Sequence, residues 1–69
     1  MYLVIELQTN GDTMANLAWA YSSKEQAEQK YHTVLAAAAV STVETHTALI
    51  MNAEGTVIKR ETYKHMSEG

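Results

Sequence analysis

Three histidines, His32, His46 and His65, and a basic group made of Lys30, Lys59, Arg60 and Lys64 beside Tyr63 are the residues with the most chemistry to offer. Neutral imidazole is a common zinc ligand, and three imidazoles with an open fourth position make a catalytic centre. No two of these histidines stand two or four residues apart, the spacings of a local chelate. A shared ion would need the fold to gather one helix position and two strand positions, so no metal site is expected. Nucleophilic catalysis has still less to work with. The chain has no cysteine and no nucleophile elbow, and its one aspartate, Asp12, falls in a turn. Glu6, Glu44 and Glu61 read as strand-face carboxylates that keep the surface wetted. The expectation is a protein that is not an enzyme and uses no cofactor.

Phosphate recognition suits the residue types better. Lysine and arginine bond phosphate oxygens, and an aromatic ring stacks on a base. This makes Lys30, His32, His46, Arg60, Tyr63 and His65 candidate binding residues for a small nucleotide-like ligand. The same charges also suit strands that must resist edge-to-edge aggregation. A long nucleic acid is not an expected partner, because five Lys plus Arg oppose eight Asp plus Glu and the net charge is −3. No glycine-rich phosphate loop or RNA-binding aromatic motif is present.

The elements that must position these groups are read from hydrophobic spacing. Ser22 to Ser41 reads as one helix, opened by Ser22 or Ser23 with Glu25 or Gln26 three residues on, a capping box. At about 100° per residue, Ala27, Tyr31, Val34, Leu35 and Ala38 share a core-facing stripe. The outer side of the helix changes along its length, from Glu25, Glu28 and Gln29 to Ala36, Ala39 and Val40 beside His32. Tyr2 to Gln8 alternates as a strand, with Leu3, Ile5 and Leu7 on one side and Tyr2, Val4 and Glu6 on the other. Met14 to Tyr21 is its return strand. A three-residue loop, Asn10-Gly11-Asp12, would set Leu7 against Ala15, Ile5 against Leu17 and Leu3 against Trp19, bringing the apolar sets together. Val43 to Met51 and Thr56 to His65 form a second hairpin around Ala53-Glu54-Gly55, with Gly55 in the left-handed position. Its bulged register sets Leu49, Met51, Val57 and Tyr63 on one side and Ala48, Ile50 and Ile58 on the other. Met66 to Gly69 reads as a frayed tail.

The expected architecture is thus a single small α+β domain over 1–69, ββαββ, a four-stranded antiparallel sheet with one helix packed on one face. The order of strands in the sheet is not readable. One helix covers one face, while this sheet carries apolar residues on both. A chain of 69 residues buries only about 60% of its unfolded surface, and without disulfides it gains from association. A homo-oligomer is therefore expected, with Ala36, Ala39, Val40 and Ile50 at its interface. The apolar N-terminal run is too short for a membrane span and lacks a basic flank, so no membrane partner is expected.

Lys30-Tyr31-His32-Thr33-Val34-Leu35-Ala36-Ala37-Ala38-Ala39-Val40-Ser41, His46, the closing Tyr63-Lys64-His65 and the opening Tyr2-Leu3-Val4-Ile5-Glu6-Leu7-Gln8 together resemble a family of short proteins of unassigned role. Its members occur in tailed phages and prophages of Gram-positive gut bacteria. The resemblance spans nearly the whole chain. It implies a phage origin and a place in the host cell cytoplasm during infection, and it supplies no mechanism. The leading expectation is a non-enzymatic, oligomeric binding protein that sequesters a nucleotide-derived host immune signal. The alternatives are a protein inhibitor of a host defence enzyme, and a small virion or assembly factor.

Overall fold

A computed structural model describes residues 1–65; the expected tail, Met66 to Gly69, lies outside them. The elements follow the order β1 (Tyr2–Asn10), β2 (Thr13–Tyr21), α1 (Lys24–Ala39), β3 (Thr45–Asn52) and β4 (Val57–Lys64). The four strands make one antiparallel sheet in the order β2-β1-β3-β4, so β1 and β3 are central. The ββαββ architecture expected from the residue pattern is the architecture observed.

The helix begins where its cap can close. Ser23 is extended at φ −110°, ψ 146°, and its side chain accepts from the Gln26 N–H at 3.1 Å, satisfying one orphan donor. Ala27, Tyr31, Val34 and Ala38 are buried, with Leu35 half-buried beside them, as the 3.6-residue spacing requires. At the far end Val40 and Ser41 turn back to the Ala37 and Ala38 carbonyls. With Val4, Ala48 and Ile50 of the sheet, Ala27, Tyr31 and Val34 form the core, flanked by Tyr2, Trp19, Tyr21 and Leu35.

The first hairpin corrects the expected register. Asn10 pairs with Thr13 across a two-residue turn, so Leu7 meets Asn16, Glu6 meets Leu17 and Val4 meets Trp19. Gly11 takes φ +57° and Asp12 does not turn positive, the pattern of a two-residue turn whose twist suits a hairpin. Asn10 is held as a strand residue by a clasp. Its side-chain oxygen accepts from the Glu44 N–H at 2.9 Å, and the Glu44 carboxylate accepts from the Gly11 N–H at 3.1 Å. Leu3, Ile5 and Leu7 therefore face away from the helix, while Tyr2, Val4, Glu6 and Gln8 face it.

The second hairpin turns as expected, with Gly55 at φ +87° and its N–H donating to the Asn52 carbonyl. One step further the register shifts: Met51 pairs with Val57 but Ile50 with Lys59, leaving Ile58 as the extra residue of a bulge. Everything in β4 beyond Ile58 is thereby turned over. Tyr63 stands opposite His46 on the helix side, not with Leu49, and Arg60 stands opposite Leu49 on the far side. Ile50, expected at a subunit interface, is 1% exposed beneath the helix, because its register pairs it with Val4 in the core.

Tyr31 makes the core sensitive to alkali. Burial pushes its phenol above the usual range, helped by the Glu61 carboxylate and Tyr63 and opposed by Lys59. The folded chain thus holds this proton to higher pH than the unfolded chain does. The associated stability is complete below the unfolded value of about 10 and is lost as pH rises through the folded value. Denaturant midpoints measured from pH 8 upward are expected to fall above about pH 10, and to fall less steeply in Tyr31→Phe. Parallel curves would assign the alkaline limb to other groups.

Candidate functional site

The polar group with the most deliberate construction lies under the C-terminal end of α1. His46 is buried, and both its ring nitrogens are engaged: Nε2 is 2.5 Å from Oε2 of Glu6, and Nδ1 is 3.0 Å from Oγ of Ser41. Glu6, with its side chain 12% exposed, also accepts from the Gln8 amide at 3.0 Å, and Ser41 Oγ accepts from the Val43 N–H at 3.3 Å. The ionised carboxylate can only accept, so the His46 Nε2–H donates to it, and in the neutral ring Nδ1 accepts a hydrogen bond from the Ser41 hydroxyl. One side chain thus joins β1, β3 and the turn that leaves the helix.

A hydroxyl, an imidazole and a carboxylate in hydrogen-bonded series is the pattern of an activated nucleophile. What surrounds Ser41 decides its chemistry. An attacking serine needs amide N–H donors aimed at the negative charge that develops. Here the neighbours are the carbonyls that end α1, the negative pole of the helix. The Val43 N–H donates to Ser41 Oγ itself. The series buckles β1, β3 and the turn after α1 together and gives the largely buried Glu6 carboxylate a donor.

The six proposed ligand-binding residues divide into groups. His46, Tyr63 and His65 come together at this end of the helix face. Tyr63 and His65 stack with centroids 6.4 Å apart, and His65 Nε2 donates to the Ala38 carbonyl at 2.8 Å. His32 is exposed on the outer side of the helix, edge-on to Tyr31 at 5.5 Å. Lys30 lies on the opposite flank, its ammonium 4.1 Å from the centre of the Trp19 ring, beside a shallow depression lined by Tyr21, Gln26, Gln29 and Thr33. Arg60 is on the other side of the sheet altogether. On the helix side Lys59 approaches Glu28 at 3.1 Å and holds that half-buried carboxyl below its usual range. Among the described residues no cluster of His, Asp and Glu gathers in metal-binding geometry.

Residue spacing alone missed Glu6 and Ser41. The one available signal was Glu6, a lone carboxylate within Leu3-Val4-Ile5-Glu6-Leu7, an apolar run where a charge must find a partner.

The helix-free face of the sheet is the second candidate. It carries Leu3, Ile5, Leu7 and Thr9 from β1, and Met14, Asn16, Ala18 and Ala20 from β2. From β3 come Thr45, Thr47, Leu49 and Met51, and from β4 Val57, Arg60, Thr62 and Lys64. No described element packs on it. A shallow depression of about 350 Å³ opens at its end, lined in part by Leu3, Ala20 and Met51. Among the described residues, Arg60 and Lys64 are its only charged side chains. The exposed outer positions Ala36, Ala39 and Val40, the last 82% exposed, form a separate small apolar surface at the helix end.

Fold and site together define a small α+β module with an open sheet face. No family model, curated protein or solved structure matches the chain. Among the described residues no helix is long and apolar enough to cross a membrane.

Proposed function

We propose that this is a non-catalytic, phage-encoded binding protein that acts as a symmetric oligomer in the host cytoplasm and holds a nucleotide-like immune signal where subunits meet. One observation carries the oligomer: the sheet face left bare by the helix bears Leu3, Ile5, Leu7, Leu49 and Met51, while the covered face hides only Val4, Ala48 and Ile50 as fully buried apolar residues. Apolar residues that stand together, only half-buried, on an uncovered face support an interaction site there. Ala36, Ala39 and Val40 supply a second surface, and two surfaces on one chain permit closed assemblies larger than a dimer. The ligand is supported by Arg60 and Lys64. As the only charges on the open face among the described residues, they offer anion donors at the rim of whatever forms there.

Thermal-shift measurements with cyclic dinucleotides and ADP-ribose derivatives test the ligand. At least one is expected to raise the melting temperature, and the rise should disappear in Arg60→Ala while the oligomer mass stays the same. No shift across the panel would end the nucleotide reading. A monomeric mass would favour a different role for the same face, that of an inhibitor lying on a host defence enzyme.

A further inference from the structure

We infer that the partner on the helix-free face is a second copy of this chain, related by a two-fold axis that runs along the strands between β1 and β3. The inference rests on the reading above that this face is the subunit contact. It adds which strand meets which.

Register aligns the face in four rows: Leu3, Ala20, Met51 and Val57; then Ile5, Ala18, Leu49 and Arg60; then Leu7, Asn16, Thr47 and Thr62; then Thr9, Met14, Thr45 and Lys64. Two sheets packed face to face with near-aligned strands admit two orientations of the two-fold axis. An axis across the strands lays β4 on β4. That brings Arg60 and Lys64 of both copies to a single edge, four cations with no carboxylate on the face to offset them. Like charges brought together across an interface are strongly unfavourable. An axis along the strands lays β4 of one copy on β2 of the other and separates the cations onto opposite edges.

Side-chain size selects the same orientation. The inner surface of β2 is slight, with Ala20 and Ala18, and that of β4 is bulky, with Val57 and Arg60 in the same rows. Laying β4 on β2 puts Val57 over the partner's Ala20 and Arg60 over the partner's Ala18, large upon small, as a close-packed interface requires. In the middle, β1 meets β3: Leu3 over the partner's Met51 and Ile5 over the partner's Leu49. In the last row Lys64 sits over the partner's Met14, beside the turn that carries Asp12, and so gains the opposite charge that its own face lacks.

The absence of cysteine makes the test direct, since each introduced thiol is the only one in its chain. Asn16→Cys and Thr62→Cys, in β2 and β4 of one row, are co-expressed with different tags. They are then treated with a bis-maleimide that bridges one sheet-to-sheet gap of about 10 Å but not the roughly 14 Å from β2 to β4 within a sheet. Cross-links between the two variants are expected to dominate, with each variant alone cross-linking little. Dominant Thr62→Cys self-cross-links would overturn the axis and leave the sheet-face contact standing. A dimer that forms neither product would overturn contact through this face. A monomer by light scattering would overturn both this inference and the oligomeric function.

Discussion

Ile5→Glu is expected to reduce the proposed face-to-face assembly to single, folded chains. Ile5 occupies the middle of the helix-free face between Ala18 and Leu49 and is only half-buried in one chain, so a carboxylate there reaches water in the free subunit. In a face-to-face pair the same carboxylate is shut between two sheets opposite the partner's Leu49, with Ala18 and Leu49 beside it, and the nearest cation, the partner's Arg60, lies one strand over above Ala18. An unpaired buried charge costs several kcal/mol, and each 1.4 kcal/mol is about tenfold in the dissociation constant. With two such charges per pair, the affinity should drop by at least about a hundredfold. Light scattering at a fixed concentration then reports a single-chain mass, while the circular dichroism of the variant stays that of the parent. Melting temperature gives an independent reading, since association makes it rise with protein concentration and a monomer shows no such dependence. Placing the same charge in the neighbouring core position, Ile50→Glu, should instead unfold the chain, because that side chain is sealed beneath the helix. An Ile5→Glu protein with unchanged mass would show that this face meets nothing. Ala36→Glu would then ask whether the helix end is the contact.

How much of this was legible from residue order depends on which signal each element carried. The helix was legible because two signals agreed: Ser23 before Gln26 marks its start, and Ala27, Tyr31, Val34, Leu35 and Ala38 repeat at one angle. The four strands and the Gly55 turn were legible from alternation and punctuation. Which side of β1 faces inward was not. Tyr2 and Val4 on one side and Leu3, Ile5 and Leu7 on the other are all apolar, so alternation had nothing to contrast. Asn10-Gly11-Asp12 closes a two-residue or a three-residue loop equally well, and the choice came from Glu44, more than thirty residues away, clasping Asn10 and Gly11. The bulge at Ile58 sits in Thr56-Val57-Ile58, β-branched residues that suit either register. It sent Tyr63 to the helix side and Arg60 to the open face, while strand alternation by itself keeps Arg60 apart from Tyr63 and so divides the candidate ligand residues. The candidate site inherits these long-range choices. His46 was visible as a histidine, but its partner Glu6 is 40 residues away and follows from the sheet pairing, which no local pattern contains.

That partnership sets the second large effect, the near loss of folding in His46→Ala. The substitution leaves the Glu6 carboxylate under the helix with only the Gln8 amide as a donor, and strands the Ser41 hydroxyl at the point where the chain leaves α1. Removing one member of a buried, hydrogen-bonded pair costs about 3–5 kcal/mol. A chain of 69 residues has on the order of 3–10 kcal/mol in total at the usual stability per residue, so most of it would be consumed. Urea unfolding should show the midpoint moving close to zero denaturant. The pair's worth as a pair is read from the companion variant Glu6→Leu/His46→Leu. If the charge left without its partner causes the damage, replacing both groups by apolar ones of similar size restores much of the stability, even though more native polar atoms have been removed. If instead the double variant falls below the parent by the sum of the losses measured for Glu6→Leu and His46→Leu singly, the two side chains act separately, and the short contact between them contributes little. Ser41→Ala completes the set. It removes the partner of both His46 Nδ1 and the Val43 N–H, a loss of about 1–3 kcal/mol, short of that expected for His46→Ala.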